Sequence, residues 1–187
     1  MIHERGYWTD LALSGTHVCD TGLCNAIIEI FKVESAVDIG CGNGEYTRRL
    51  RKAGIGCVGY DGSPLTPEVS NGLCNVMDFS QPQDIGTFDL VLCLEVGEHI
   101  PFHYEEIFLD NICNAAKKYI TLSWAVEGQA GGGHVNCHNN DYVINIMKER
   151  GFKYLEEHSL YLRNCSGIGS CKEYWWFKDT VMVFEKC

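Results

Sequence analysis

A glycine-rich turn after a short apolar run is the feature of this sequence that most restricts its fold. The run SAVDIG, residues 35–40, has the composition of a buried strand, and glycines stand at alternate positions, Gly40, Gly42 and Gly44. A helical pattern follows at residues 45–54. A strand, a glycine turn and a helix in this order bring backbone N–H groups to a ligand at the helix N-terminus. The turn therefore favours an α/β sheet that binds a small molecule.

The remaining segments also predict an α/β fold, because strand-like runs alternate with helical patterns. The predicted strands are residues 35–40, 56–61, 73–79, 88–96, 120–126, 153–164 and 179–186. The predicted helices are residues 24–32, 45–54, 104–119 and 140–151. Such alternation favours a doubly wound sheet with right-handed crossovers. No long helix separates the last two strands, so we expect them to form an antiparallel hairpin at one edge.

The length of 187 residues suits one domain and not two of ordinary size. We expect a single domain over residues 1–187, in which residues 1–34 form a lead-in or lid segment and residues 35–187 form the binding core.

Charge and cysteine content limit the partners and the compartment. A net charge of −10 without a basic stripe would repel a nucleic-acid backbone. The first residues lack the apolar core of a signal peptide, and no apolar run is long enough to span a membrane. The eleven cysteines are odd in number, and several lie in strand-like runs, as is typical of buried thiols in a reducing compartment. We predict a cytoplasmic protein without a nucleic-acid or membrane partner.

Acidic residues stand near the ends of three successive predicted strands. Asp38 precedes the glycines and can accept a hydrogen bond from a ligand's ammonium group. Asp61 lies 17 residues beyond Gly44, where a carboxylate can accept both hydroxyls of a ribose. Asp78 can accept the exocyclic amine of adenine, and the N–H of Phe79 can reach a ring nitrogen. Each aspartate alone could be a turn or capping residue, but the three in order predict a ligand with an amino acid, a ribose and a base.

The glycine spacing differs from that of a dinucleotide-binding fold. Those folds use G-x-G-x-x-G, and their pyrophosphate lies at the helix N-terminus. Here the spacing is G-x-G-x-G, and Glu45 stands at the position of the third dinucleotide glycine. A carboxylate disfavours a pyrophosphate there but tolerates a sulfonium ligand, which carries no phosphate. A nicotinamide-dependent oxidoreductase is therefore the weaker interpretation.

Together these motifs resemble those of the class I S-adenosylmethionine-dependent methyltransferases. VDIGCGNG is similar to their glycine-rich motif, GYDGSP to their ribose-binding strand end, NVMDFS to their adenine motif, and FDLVLCLEVGEHIP to their fourth strand and its loop. The resemblance covers residues 35–125 and implies a Rossmann-like, mostly parallel seven-stranded sheet with an antiparallel edge strand. It also implies S-adenosylmethionine as cofactor. The cofactor contacts that it implies are Asp38, Gly40, Cys41, Gly42, Gly44, Asp61, Gly62, Ser63, Met77, Asp78, Phe79, Leu94 and Glu95.

The acceptor site is expected beyond the carboxyl ends of the strands. Methyl transfer requires alignment, and a hydroxyl acceptor usually also requires a base. His134 lies beside three consecutive glycines and is the first candidate base; His99 and His138 are the alternatives, and each could instead be structural. The predicted substrate contacts are Tyr7, Trp8, Trp124, Glu127 and Asn136. The aromatic group at residues 174–177 could wall an apolar acceptor pocket or pack in the core.

No metal site is predicted. His134, Cys137 and His138 lie close in sequence but lack the C-x-x-C pairs of a structural zinc site. A catechol-type magnesium site would need carboxylates after strands four and five, where only Glu95 and Glu127 stand.

The predicted activity is methyl transfer from S-adenosylmethionine to an oxygen or nitrogen atom of a small molecule. The alternatives are a protein or RNA methyltransferase and a non-catalytic S-adenosylmethionine-binding partner or sensor protein. The three aspartates argue against the non-catalytic alternative, because a decayed site would not need all of them.

Overall fold

The computed structural model describes residues 2–10, 17–169 and 175–187. The strands within these ranges are β1 (Ser35–Ile39), β2 (Gly56–Asp61), β3 (Asn75–Val76), β4 (Phe88–Cys93), β5 (Ala116–Leu122), β6 (Phe152–Tyr154) and β7 (Met182–Lys186). The helices are α1 (Thr21–Ile30), α2 (Glu45–Lys52), α3 (Thr66–Val69), α4 (Glu105–Ala115), α5 (Asn140–Glu149), α6 (Glu156–Cys165) and α7 (Phe177–Thr180). Two short 3-10 turns, Gly97–His99 and Phe102–Tyr104, precede α4.

The seven described strands form one sheet in the order β3-β2-β1-β4-β5-β7-β6. Strands β1 to β5 pair in parallel, and β7 runs antiparallel to both β5 and β6. The predicted mostly parallel, seven-stranded α/β sheet is therefore confirmed, with its antiparallel pair at the β6 edge.

Helices cover both faces of the sheet, as its apolar central strands require. Val37 and Val91 belong to a core cluster with residues of α4 and α5. Ala36 and Leu90 belong to a second cluster with residues of α1 and α6. With both faces filled, a ligand of such a sheet binds at the carboxyl ends of the parallel strands, next to the point between β1 and β4 where the strand order reverses.

Two predicted segments differ from the structure in length, and strand pairing explains the first of them. The helix predicted to residue 119 ends at Ala115, and β5 begins at Ala116. Ala116 has extended backbone angles and pairs with Phe88 of β4, while Tyr119 pairs with Glu185 of β7. Pairing on both sides makes this segment a strand. The third strand, predicted over residues 73–79, is reduced to the two residues of β3.

The prediction of a strand over residues 153–164 was largely wrong. Only β6 is extended, and α6 follows it. Ser159 and Leu162 are buried and lie three residues apart, so they share one face of this helix. The Ser159 hydroxyl donates to the Leu155 carbonyl and accepts from the Val183 amide, which ties α6 to β7. The last two strands do pair antiparallel, but α6 and α7 separate them in the chain.

In the described ranges, each helix falls short of the length and apolarity that crossing a membrane demands. The division into a lead-in segment, residues 1–34, and a core stays a prediction.

Candidate active site

The glycine turn between β1 and α2 adopts backbone angles that favour glycine. Gly40, Gly42 and Gly44 have φ of 73°, 52° and 76°, in the left-handed region. A Cβ on Gly40 would also lie 2.2 Å from Cγ2 of Val96. The turn therefore lets the loop after β4 approach the end of β1 closely.

The first three amides of this turn donate to the protein itself, and contacts of the turn with a ligand stay a prediction. The N–H groups of Gly40 and Cys41 donate to the Tyr60 carbonyl at 2.8 and 3.0 Å. The Gly42 N–H donates to Oδ2 of Asp61 at 2.9 Å. These bonds fix β2 and its terminal carboxylate against the turn.

The Asp61 carboxylate is held from both sides. Its second oxygen, Oδ1, accepts the Ser63 N–H at 2.8 Å, and the residue is 8% exposed. Because a carboxylate oxygen can accept more than one hydrogen bond, each keeps capacity for a ligand hydroxyl. Gly62 lies beneath Tyr7, since a Cβ there would be 2.8 Å from Cβ of Tyr7.

Asp38 is a buried carboxyl group near the end of β1. Its Oδ2 accepts hydrogen bonds from the backbone N–H and the hydroxyl of Thr47, at 3.1 and 2.7 Å. Burial raises the pKa of Asp38 to about 6, against the lowering effect of the Thr47 hydrogen bonds. A cationic partner would favour the ionised form.

Asp78 pairs with Arg5 of the N-terminal segment. Nη1 of Arg5 lies 2.8 Å from Oδ2 of Asp78, and the Ser80 N–H donates to Oδ1 at 2.9 Å. Burial raises the pKa of Asp78, but the hydrogen bonds from Ser80 and Arg5 outweigh it, so the pKa is lowered. The carboxylate is therefore ionised and lies between the end of β3 and the N-terminal segment.

A cavity of about 250 Å³ brings the three aspartates together. The predicted cofactor residues that line it are Asp38, Gly40, Cys41, Asp61, Gly62, Met77, Asp78, Phe79, Leu94 and Glu95. Gly42 and Ser63 instead line a smaller recess beside it, and Gly44 packs against Cys74 behind the turn. Further lining residues were not among the predicted contacts: Arg5, Gly6, His17, Val18, Ile39, Asn43, Tyr46, Val96 and Ile100. Ile39, Asn43, Val96 and Ile100 lie within the motifs quoted above, whereas the others lie outside them.

The N-terminal segment, residues 2–10, forms part of the cavity wall. Ile2 and Trp8 form an antiparallel bridge, and the rings of His3 and Tyr7 stack at 4.4 Å. Gly6 fits against the loop after β4, since a Cβ there would lie 2.2 Å from the His99 carbonyl oxygen. The predicted substrate contacts Tyr7 and Trp8 therefore both line the cavity.

Glu95 stands in the cavity wall just after β4. Its φ of 56° is uncommon for a residue with a side chain. Ser123 holds it: the Ser123 hydroxyl lies 2.8 Å from Oε1 of Glu95 and 2.9 Å from its backbone nitrogen. Burial raises the pKa of Glu95 to about 7. The surrounding protein therefore influences the protonation of this side chain as well as its backbone conformation.

Of the three candidate base histidines, His99 is the one that lines the cavity. Its Nδ1 lies 3.1 Å from the Gly133 carbonyl oxygen, and burial followed by the nearby His134 lowers its pKa to about 4. The His134 ring lies 5.1 Å from the His99 ring, outside the cavity lining. Glu98, which sequence reasoning did not select, is fully buried beside them.

His138, Trp124 and Asn136 belong to a buried network away from the cavity. Glu105, which is 1% exposed, accepts from Nδ2 of Asn136 at 2.6 Å and lies 2.9 Å from Nε2 of His138. Nε1 of Trp124 donates to the Asn136 carbonyl, and the His138 ring stacks on Tyr142 at 3.8 Å. These contacts hold the loop after β5 against the start of α4, and none of the three residues lines the cavity, so their predicted base and substrate contacts stay predictions.

Two further predicted acceptor features lie apart from this network. Glu127 accepts a hydrogen bond from the exposed Asn139 and does not line the cavity. Trp176 and Phe177 do line it, as one interpretation of the aromatic group expected, while Tyr174 of that group lies outside the described residues.

Comparisons with known proteins give a family match and several relatives. A family model described as a methyltransferase domain matches residues 20–122, which is more than half of the chain. A probable chloroplastic tocopherol O-methyltransferase of Oryza sativa subsp. japonica is 40% identical over 107 residues, which are 50% of this chain and 30% of the relative. A ubiquinone biosynthesis O-methyltransferase of Methylococcus capsulatus is 36% identical over 80 residues, 35% of this chain and 32% of the relative.

Solved structures share the fold at low sequence identity. Magnesium protoporphyrin IX methyltransferase from Synechocystis PCC 6803, crystallised with S-adenosylmethionine, has a TM-score of 0.65 and 18% identity over 95% of this chain and 82% of its own. The segments matched to the curated relatives cover less than a third of those relatives' length. Two of these relatives are named as chloroplastic, and the predicted cytoplasmic location stays a prediction.

Proposed function

Because this chain belongs to the methyltransferase domain family, we propose that it is an enzyme that transfers a methyl group from S-adenosylmethionine to an oxygen atom of a small aromatic molecule. Family membership confirms the resemblance drawn from the sequence. The observation that carries the proposal is the cavity at the ends of the strands, where Asp38, Asp61 and Asp78 lie together.

The residues of the cavity fit S-adenosylmethionine better than a dinucleotide. Asp38 would accept from the ammonium group, Asp61 from the ribose hydroxyls and Asp78 from the adenine amine. Among the described residues that line the cavity, Arg5 is the one permanent cation, and it already pairs with Asp78. A pyrophosphate would therefore lack a free cation, whereas the sulfonium needs none. When bound, S-adenosylmethionine supplies an electrophilic methyl group.

The wall of the cavity favours an aromatic acceptor. Tyr7, Trp8, Trp176 and Phe177 line it, and flat rings pack well against such side chains. Both curated relatives described above are named as O-methyltransferases, which supports oxygen as the acceptor atom. A nitrogen acceptor of the same size is the second candidate.

Methyl transfer is an in-line displacement, so the main task of the chain is alignment. The N-terminal segment and the loop after β4 contribute wall residues of the cavity, and these would orient the two reactants. Two imidazoles, those of His17 and His99, are among the described residues that line the cavity. In His99 the Gly133 carbonyl occupies Nδ1, which leaves Nε2 for a proton. With a pKa of about 4 it is a weak base, so a hydroxyl acceptor needs further activation.

Isothermal titration with S-adenosylmethionine, S-adenosylhomocysteine and NAD tests the ligand class. We expect binding of the first two and none of NAD. Methyl uptake from radiolabelled S-adenosylmethionine is then measured on phenols, catechols, hydroquinones and aromatic amines, with RNA and protein as further arms. Products are identified by mass spectrometry.

Methylation of a hydroxyl compound supports the proposal. Methylation of RNA or protein alone would replace the acceptor class, and binding without any uptake would favour a partner or sensor protein. Failure to bind either adenosyl ligand would overturn the proposed function.

A further inference from the structure

We propose that Glu98, His99 and His134 form a binding site for a divalent first-row transition metal, and that this metal binds the acceptor oxygen at the cavity wall. The first half stands on the side chains alone, while the second half rests on the function proposed above. One ligand atom from each of the three residues lies within 4.8 Å of the others. Ligand atoms around such a metal are about 3–3.5 Å apart, so small side-chain rotations would close the site.

The carboxylate of Glu98 is the first independent sign of a missing partner. The residue is 0% exposed, and in the described part of the chain neither of its carboxyl oxygens has a partner with full hydrogen-bond geometry, although its own amide, the Ala125 amide and the Glu95 carboxyl group are its polar neighbours. Leaving a buried polar group unpaired is costly, and a structural carboxyl group would be expected to have donors around it. A cation that binds Glu98 would supply the interaction that the protein lacks.

The two imidazoles are oriented as metal ligands usually are. Nδ1 of His99 lies 3.1 Å from the Gly133 carbonyl oxygen, and Nδ1 of His134 lies 3.1 Å from the Gln129 carbonyl oxygen. Both rings therefore donate through Nδ1 and keep the Nε2 lone pair for another partner. Metal-binding histidines typically donate their second N–H to a backbone carbonyl or carboxylate, which fixes the ring.

Backbone contacts hold the three ligands in place. The Glu98 carbonyl accepts the N–H groups of Val135 and Asn136, so the 3-10 turn with two ligands is bonded to the loop with the third. Gly131 makes room for the His134 ring, since a Cβ there would lie 2.1 Å from its Nε2. Gly131 therefore does more than make the loop flexible, because its missing side chain leaves space for the His134 imidazole.

The donor set indicates which metal to expect. Two imidazole nitrogens and one carboxylate suit Mn²⁺, Fe²⁺, Co²⁺, Ni²⁺ or Zn²⁺ better than Mg²⁺ or Ca²⁺, which prefer oxygen ligands. Three protein ligands leave coordination positions open, as in catalytic and not structural sites. His99 lines the cavity, so the open positions are next to the reactants.

A metal at this position would activate a hydroxyl acceptor directly. It would lower the pKa of a bound hydroxyl, whose proton would pass to solvent water. In the transfer, the C–S bond of the methyl donor breaks, the O–CH₃ bond forms, and sulfur leaves as a neutral thioether. The metal takes no part in electron transfer.

The test uses Mn²⁺, which has less affinity for the chain's many thiols than Zn²⁺ or Cu²⁺. The whole chain is treated with chelator, dialysed and titrated with Mn²⁺, with electron paramagnetic resonance and calorimetry as readouts. We expect one Mn²⁺ per chain and more than about tenfold weaker binding of Mg²⁺. Glu98→Gln and His134→Ala should each weaken Mn²⁺ binding by about 100-fold or more, at least the effect of losing an outer-shell partner.

His103→Ala is the matched control, because His103 is exposed and lies four residues after His99 on the same loop. It should bind Mn²⁺ like the unmodified chain. Gly131→Ala keeps all three ligands but displaces the His134 ring, and it should weaken binding by about tenfold, as a lost outer-shell contact does. Equal Mn²⁺ affinity in His134→Ala and His103→Ala would overturn the proposal, as would a chain that binds no Mn²⁺.

Thermal unfolding separates a metal ligand from a structural carboxyl group. In the metal-free chain, Glu98→Gln should unfold at the same temperature or higher, because a neutral amide of the same shape replaces a buried carboxyl group that lacks a partner with full hydrogen-bond geometry. Mn²⁺ should stabilise the unmodified chain and not this variant. The affinity for S-adenosylhomocysteine is measured on the same samples. Binding of Mn²⁺ without binding of S-adenosylhomocysteine would overturn only the proposed function, and binding of S-adenosylhomocysteine without binding of Mn²⁺ would overturn only the metal site.

Discussion

Replacement of Asp61 by alanine tests the central assignment of the cavity. Its two carboxylate oxygens accept the Gly42 and Ser63 amides at 2.9 and 2.8 Å, and only 8% of the residue is exposed. The same oxygens are the proposed acceptors for the ribose hydroxyls. Asparagine would not be a conservative substitute, because its NH₂ group would face one of the two amide donors.

The expected loss of ligand affinity follows from these contacts. Hydrogen bonds to a charged acceptor contribute about 1.5–3 kcal/mol, so the S-adenosylhomocysteine Kd should rise about 10- to 150-fold. The variant should also unfold more easily, because the Gly42 and Ser63 amides lose their acceptor, at a cost of about 1–3 kcal/mol.

Calorimetry well below the unfolding temperature separates the two effects, and Asp89→Ala is the matched control. Asp89 has the same 8% exposure, accepts the Glu34 amide and pairs with Lys118, but it lies at the start of β4, away from the cavity. Asp89→Ala should lose stability and keep its affinity. An unchanged Kd in Asp61→Ala, or an equal loss in both variants, would refute the ribose assignment.

Three further predictions use the same ligand titration. The pKa of Asp38 is raised to about 6, and the ligand's ammonium group requires the ionised carboxylate. The affinity for S-adenosylhomocysteine should therefore fall up to about tenfold per pH unit below pH 6 and stay constant above pH 7. Asp38→Asn should abolish this pH dependence. Arg5→Ala, which unties the N-terminal segment from Asp78, should speed S-adenosylhomocysteine dissociation by about two- to fivefold in stopped-flow, the range of an exposed ion pair. Glu105→Ala leaves His138 and its neighbours without their buried acceptor, so the free energy of unfolding should fall by about 3–5 kcal/mol while the affinity for S-adenosylhomocysteine stays unchanged. Weaker ligand binding in this variant would show that the network is part of the active site.

The fold was predictable where one local pattern decides the structure. The strand over β1, the glycine turn and α2 appear at the predicted positions, because glycines with positive φ have few alternatives. The predictions failed where contacts with distant segments determine the secondary structure. Residues 116–119 continue a helical pattern but lie between β4 and β7, and residues 156–165 form a helix whose buried Ser159 bonds to β7. Neither partner is adjacent in the chain.

The candidate site divides in the same way. The three aspartates stand at strand ends, and parallel topology alone brings strand ends to one edge, so their common cavity could be anticipated. The functions of the histidines could not. His134 and His138 lie four residues apart in one glycine-rich loop, yet one approaches His99 and the other is buried against Glu105. Which histidine approaches His99 depends on where β5 ends and on which side chains of α4, such as Glu105, face the loop.

The cluster of Glu98, His99 and His134 shows why such a site escapes a search by sequence spacing. His134 follows His99 by 35 residues, and α4 and β5 lie between them. Two kinds of contact join the loops: the Glu98 carbonyl accepts the Val135 and Asn136 amides, and Nδ1 of His99 bonds to the Gly133 carbonyl, with the His134 side chain involved in neither. Removing the His134 imidazole leaves these bonds intact, so the loop should keep its position in His134→Ala. A loss of Mn²⁺ binding in that variant would then report the missing nitrogen and not a displaced loop.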